Sequence, residues 1–274
     1  MTSFEKVVYQ TDKKKHVCVG LDTDPVSIPS SVQQDGDPIF TFNKEIIDAT
    51  IDEAAAYKLN FAFYESSGIK GISALKRTVD YIKSKDEKII LIGDAKRGDI
   101  GNTSKMYAEA IFNEYGFDCS TLAPYMGKDS LDPFFAFQDK INFVLILTSN
   151  KGSEDFEKLI LESGKPLYRE VLSRVKEWYP ASSLGTVFGA TNIENLKEDI
   201  PDLSGTTVLV PGVGAQGGSA EQVTRLFYTF GHNKFLINSS RNIIFASNGV
   251  DFAEKASVEL VKLNTEIRRA TATV

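Results

Sequence analysis

Much that would mark a metalloprotein, a secreted scaffold or a membrane protein is missing from this chain. It has two cysteines, Cys18 and Cys119, and two histidines, His16 and His232, in 274 residues. No Cys/His cluster has the spacing of a metal site. Ser-His-Asp chemistry also lacks a suitable base, since His16 ends a basic run and His232 sits in a Gly-His-Asn turn. Both cysteines fall in apolar runs and read as buried free thiols of a reducing, cytoplasmic compartment rather than a disulfide. No run approaches the ~18 apolar residues of a membrane span. The start, MTSFEKVVYQTDKKK, has charges on both sides of a few apolar residues and no long apolar region, so it does not read as a signal peptide. There is no excess of positive charge either: the net charge is −6. A polynucleotide partner would ask for a basic surface, so a small anionic substrate is the better expectation, with its cations gathered locally.

What is present is an alternation. Short apolar runs occupy Val17–Leu21, Tyr57–Phe63, Lys88–Ile92, Phe117–Leu122, Asn142–Leu147, Gly185–Ala190, Thr207–Val210 and Phe235–Asn238. They are nearly continuous, which suits strands buried on both faces of a parallel sheet. Between them lie stripes with spacings of three and four. Examples are Ile72, Leu75, Val79 and Ile82, then Val223, Leu226, Phe227 and Phe230, and finally Ala253, Ala256, Leu260, Leu263 and Ile267. Such spacing puts each set on one helix face. Eight strand–helix units, starting roughly 30 residues apart, predict an α/β fold of the (β/α)8 TIM-barrel type. An open doubly wound sheet has the same local pattern. No linker divides the chain, so one domain over 1–274 is expected. The stretch of about 150–166 is longer than a usual strand-to-helix connection and predicts an enlarged loop. The tail Ala270–Val274 is expected to fray.

The most informative segment closes the third run: Ile89-Ile-Leu-Ile-Gly-Asp94-Ala-Lys96-Arg-Gly-Asp99-Ile-Gly-Asn-Thr103. Asp94 and Lys96 are two apart at a strand end, so their side chains point the same way. Asp99 follows in the loop that opens the next helix. Charged residues at the carboxyl end of a barrel strand are where catalysis usually sits. Lys58 interrupts the apolar run Tyr57–Phe63, and a lysine in a buried strand is costly unless paired. With Asp94 on the next strand, an interior row of Lys, Asp, Lys and Asp accounts for both.

These residues resemble the signature of the orotidine 5′-phosphate decarboxylase family. Further landmarks are similar and come in the same order: Val19-Gly20-Leu21-Asp22, Lys58, Thr148-Ser149-Asn150, Pro211-Gly-Val-Gly-Ala-Gln216-Gly-Gly218 and Asn238-Ser-Ser-Arg241. The likeness covers nearly the whole chain and is greatest to the longer branch, with its enlarged loop after the fifth strand. One departure is Ser-Ser-Arg at the eighth strand, where many members have Gly before the Arg. The resemblance implies cofactor-free decarboxylation of orotidine 5′-phosphate to UMP and CO2 in pyrimidine biosynthesis. It gives Lys96, Asp94, Asp99 and Lys58 as catalytic residues, with Lys96 donating a proton to C6. It places Asp22 and Lys58 on the ribose, Ser149 on the pyrimidine amide, and Gln216 and Arg241 on the phosphate. It also implies a homodimer in which Asp99 and Thr103 reach the neighbouring subunit's site, with no metal. Glu65, also near a strand end, reads as structural.

The glycine loop fits that phosphate role. Gly212-x-Gly214-x-x-Gly217 is a literal dinucleotide fingerprint, but the acidic residue required about 20 positions on is absent, since Leu236, Ile237 and Asn238 stand there. No Gly-Lys-Ser/Thr follows, so it is not a P-loop. Loops after strands seven and eight are the common phosphate cradle of barrels. Two alternatives stay open. A sister barrel family decarboxylates a sugar phosphate with Mg²⁺ and has an acid where this chain has Lys58, whose charge would repel the ion. A nucleotide-binding barrel without turnover is the other, although every charged position of the row is intact.

Overall fold

The computed structural model describes residues 1–213 and 218–272. Its centre is a closed barrel of eight parallel strands, each beside the next and the last paired to the first. They are β1 Val17–Gly20, β2 Ala56–Asn60, β3 Ile90–Arg97, β4 Cys119–Leu122, β5 Ile141–Leu147, β6 Leu184–Phe188, β7 Thr207–Val210 and β8 Phe235–Ser239. The barrel, not the open sheet, is therefore the fold. No described helix is long and apolar enough to cross a membrane.

Alternation along the strands separates two cores. One set of residues, including Tyr57, Leu59, Leu91, Val144, Ile146, Val208, Val210, Phe235 and Ile237, packs outward under the helices. The other fills the barrel: Cys18, Ala56, Ile90, Ile92, Cys119, Ile141, Phe143, Val187, Leu209 and Leu236. Following the inward positions of each strand towards its carboxyl end, the interior turns polar. Ala56 gives way to Lys58 and Asn60, Ile92 to Asp94, Cys119 to Thr121, and Leu236 to Asn238. The apolar lower layers hold the barrel together by burial, and the polar layer is its mouth.

The expected helix stripes are buried where the spacing placed them. The helix Gly68–Lys85 buries Leu75, Val79 and Ile82, and Ala220–Thr229 buries Val223 and Phe227. The third strand runs on to Arg97, past the apolar run Lys88–Ile92, and the sixth ends at Phe188 rather than Ala190. Three further features differ from the sequence reading. The second strand stops at Asn60, because the Asn60 side chain accepts a hydrogen bond from the Ala62 amide (3.2 Å) and caps a short helix, Phe61–Glu65. The last helix runs from Phe252 to Ala272 with Ala270 and Thr271 buried, so that part of the tail does not fray. A helix absent from the sequence reading, Ser3–Asp12, opens the chain with a Thr2/Glu5 capping box. It sends Val7 into the interior core, and its Lys6 Nζ lies 2.9 Å from both carboxylate oxygens of the buried Asp118.

Between β5 and the helix Leu167–Trp178 lies the long connection. It holds a single 3-10 turn, Lys151–Glu154, and an isolated antiparallel bridge between Ile160 and Pro166. Glu157 ties it to the barrel, accepting from the Thr148 amide (2.7 Å) and the Thr148 hydroxyl (2.8 Å).

Candidate active site

The carboxyl ends of the strands surround a cavity of about 360 Å³. Asp22 enters from the loop after β1, Lys58 and Asn60 from β2, and Asp94 and Lys96 from β3. Thr121 comes from β4, Ser149 from the loop after β5, and Arg241 from the segment after β8. Lys58, Asp94, Lys96, Asp22, Ser149 and Arg241, drawn from five separate segments of the chain, thus meet in one place. Leu145, Val187 and Leu209 supply an apolar floor and wall.

The charged row is continuous. Lys58 Nζ lies 3.2 Å from Asp22 Oδ1 and 2.9 Å from Asp94 Oδ2. Lys96 Nζ lies 2.7 Å from Asp94 Oδ1. Lys58 and Asp94 are buried, whereas the Lys96 side chain is about half exposed, at 49%, and so faces the open cavity. Burial alone would push the Asp94 carboxyl up. The charges of Lys58 and Lys96 outweigh it and hold Asp94 well below the usual carboxylate range. Burial likewise disfavours the Lys58 ammonium, but Asp22 and Asp94 hold its pKa above the ordinary lysine value. Both groups are therefore charged at neutral pH.

Two glycines make room at the mouth. A Cβ on Gly20 would stand 1.9 Å from the Ser240 Oγ, and one on Gly189 would stand 2.7 Å from the Ser149 amide nitrogen. The end of β1 can therefore pass close under the segment bearing Arg241, and the end of β6 close to Ser149.

Asp99 and Thr103 take no part in lining this cavity. Asp99 Oδ1 accepts from the Ile100 amide (2.8 Å), and Thr103 is exposed on the helix Gly101–Glu109. Gln216, with Gly214 and Gly217, lies outside the described residues. The flanking Pro211, Gly212 and Val213 do line the cavity, as Arg241 does. Glu65 forms an ion pair with Arg97, in keeping with a structural role.

Sequence reasoning missed three residues. Asn60 is the register partner of Asp94 and faces the cavity. Thr121 Oγ1 donates to Asp94 Oδ1 (2.8 Å). Asn238 also lines the cavity, and its Oδ1 is buried without a hydrogen-bond partner. The available signal was a polar residue inside an apolar run, as at Lys58. Among the described residues no group of three or more His, Cys, Asp or Glu side chains could hold a metal ion. The two carboxylates nearest the cavity, Asp22 and Asp94, are already bridged by Lys58.

This chain is similar to a well-populated set of proteins. The Orotidine 5'-phosphate decarboxylase / HUMPS family profile matches residues 15–256. An orotidine 5'-phosphate decarboxylase from Flavobacterium johnsoniae is 48% identical over 261 residues, covering 93% of each chain. One from Christiangramia forsetii is 46% identical over 270 residues and covers 97% of each. Among solved structures, the OMP decarboxylase of Leishmania donovani superposes with a TM-score of 0.77 at 30% identity, covering 97% of this chain and 99% of that one. The UMP synthase of the same organism matches with a TM-score of 0.79 at 32% identity, but this chain spans only 57% of its length. With the barrel, the charged row and these likenesses together, the chain belongs to the orotidine 5′-phosphate decarboxylase family.

Proposed function

We propose that this barrel decarboxylates orotidine 5′-phosphate to UMP with Lys96 as the proton donor. The observation that carries this reading is the Lys58–Asp94–Lys96 row, in which the more exposed lysine faces the cavity and the other two charges are buried behind it. In the reaction the bond from C6 to the carboxylate breaks, CO2 departs, and the electron pair stays on C6. Lys96 Nζ then gives C6 a proton, and the neutral amine regains one from solvent. A cation fixed beside C6 also stabilises the charge as it develops. Asp94, held ionised by its two lysines, lies against the substrate carboxylate and keeps both lysines in place. No redox step or covalent adduct is needed. Lys58 fills the space between Asp22 and Asp94, which argues against the Mg²⁺-dependent sister chemistry.

The remaining residues bind. Asp22 and Lys58 take the ribose hydroxyls, Ser149 the pyrimidine amide, and Arg241 with Gln216 the phosphate. Arg241 suits a phosphate dianion because its fork can make two charge-assisted hydrogen bonds. The chain acts as a homodimer in which Asp99 and Thr103 complete the neighbour's site. Their absence from their own cavity supports this, as do the exposed apolar side chains Ile100, Met106, Tyr125 and Met126 on and beside the loops after β3 and β4. The buried thiols Cys18 and Cys119 suit a reducing, cytoplasmic setting.

Mixing two inactive variants tests the shared site. Lys96→Ala and Asp99→Ala homodimers should each be nearly dead. In a heterodimer one site carries both defects and the other carries neither. Free exchange gives about half heterodimer, so about a quarter of wild-type activity should return. No recovery, with exchange confirmed by mass spectrometry, would place Asp99 in its own subunit's site.

A further inference from the structure

The strand that carries the charged row departs from regular pairing at the row itself. Gly93 pairs with Ser120 and Arg97 with Leu122, so Asp94, Ala95 and Lys96 on β3 face a single β4 residue, Thr121. Such a bulge leaves ladder groups unpaired and re-aims side chains. Lys96 has φ of +45°, a left-handed conformation in which the Cβ of an L residue crowds its own carbonyl. Only the surrounding structure can keep a lysine there.

One hydroxyl supplies what the ladder lacks. Thr121 Oγ1 accepts the Lys96 amide hydrogen bond at 2.9 Å and donates its own proton to Asp94 Oδ1 at 2.8 Å. Thr121 is 1% exposed, and its bond to Asp94 is buried, while its bond from the Lys96 amide is half-buried. The same Asp94 Oδ1 receives Lys96 Nζ at 2.7 Å. A closed circuit results: Lys96 is fixed at its backbone by Thr121 and at its tip by Asp94, and Thr121 fixes the carboxylate that holds the tip. Removing the hydroxyl would leave the half-buried Lys96 amide without its partner and one side of the buried carboxylate unguided.

We propose that Thr121 is a positioning residue for the proton donor, setting the root of the Lys96 side chain and the rotamer of Asp94. The proposal rests on Lys96 being that donor. A threonine that served only as a β-branched filler of the barrel would be replaced by valine without consequence, because the two have nearly the same shape. A positioning hydroxyl would not, since a displacement of about 1 Å at a reacting group can cost on the order of 100-fold in rate.

The experiment compares Thr121→Val, Thr121→Ser and Lys96→Ala with the wild type, measuring kcat, KM for orotidine 5′-phosphate, UMP affinity and Tm. Thr121→Val should lose on the order of 10- to 100-fold in kcat. KM and UMP affinity should change by less than about threefold, because ribose and phosphate contacts are untouched. Thr121→Ser keeps the hydroxyl and should return kcat to within about threefold of the wild type. Should the valine variant not fold, Thr121→Ala takes its place and is read the same way. A hydroxyl-free variant with kcat within about twofold of wild type, or a serine variant as impaired as valine, overturns the proposal. An active Lys96→Ala would instead overturn the donor assignment on which it rests.

Discussion

Lys58 reaches Asp94 along a diagonal. The register partner of Lys58 is Ile92, one inward layer below Asp94, yet Lys58 Nζ lies 2.9 Å from Asp94 Oδ2. The lysine rises through the barrel from an apolar layer and delivers its charge to the polar mouth. Its stem packs where a hydrophobic residue would serve, and its head meets the one carboxylate that also holds Lys96. Separating those layers is what lets a barrel carry two lysines and an aspartate in its interior without leaving a charge unpaired.

Arg241 tests how binding energy far from C6 is used. Energy from non-reacting groups can be realised in the transition state. Arg241→Ala should lower kcat/KM by several orders of magnitude on orotidine 5′-phosphate. The nucleoside lacking phosphate should lose little further between wild type and variant. Equal proportional losses on both substrates would show that Arg241 does not act through the phosphate.

Gly189 tests the contact between the end of β6 and the loop after β5. An added Cβ would stand 2.7 Å from the Ser149 amide nitrogen and 2.8 Å from its Cβ, and backbone cannot yield as a flexible side chain does. Gly189→Ala should destabilise the fold by about 1–3 kcal/mol, as overpacking does. It should also raise KM by displacing Ser149, which the proposed function places on the pyrimidine. Urea unfolding and steady-state kinetics read the two effects, and an alanine variant with unchanged KM would separate Ser149 from substrate binding.

His16 sets a pH dependence of stability. Its Nδ1 meets the Phe235 carbonyl oxygen and its Nε2 the Tyr228 hydroxyl, both at 3.0 Å, and its ring stacks on Phe235. Burial lowers its pKa to about 4, with the Phe235 carbonyl pulling the other way. Between that value and the ordinary 6.5 the unfolded chain binds the proton and the folded chain does not. Stability is therefore full above about pH 6.5 and falls as pH drops towards 4, by roughly 3 kcal/mol. His16→Gln should flatten this part of the profile of unfolding free energy against pH, whatever it costs at pH 7. An unchanged slope would show that the imidazole is not the group responsible.

The barrel was legible because buried parallel strands read as apolar runs and their helices as stripes, and Lys58 stood out as a charge inside such a run. What stayed hidden depended on pairing rather than on pattern. Asn60 looked like part of a longer strand, because nothing in the run shows that its side chain caps the next turn. Thr121 sits in Cys119-Ser-Thr-Leu122, an ordinary strand sequence, and its meaning comes only from the bulge opposite. The first helix was missed because its burial rests on polar anchors: Lys6 to Asp118, Ser3 to the Asp118 carbonyl, and Gln10 to the Lys88 carbonyl. A capping box at Thr2 and Glu5 and the short stripe Phe4, Val7 and Val8 were its local signals.

The most direct test of the central claim follows the absorbance of orotidine 5′-phosphate during turnover by EDTA-treated wild type and Lys96→Ala side by side. If the lysine row alone supplies the charge and the proton, the treated wild type keeps its full rate, and the variant, still able to bind UMP, loses on the order of a thousandfold or more, as when a reacting group is deleted. Activity that disappears with EDTA and returns with Mg²⁺, or a Lys96→Ala enzyme that turns over at a rate close to wild type, would contradict it.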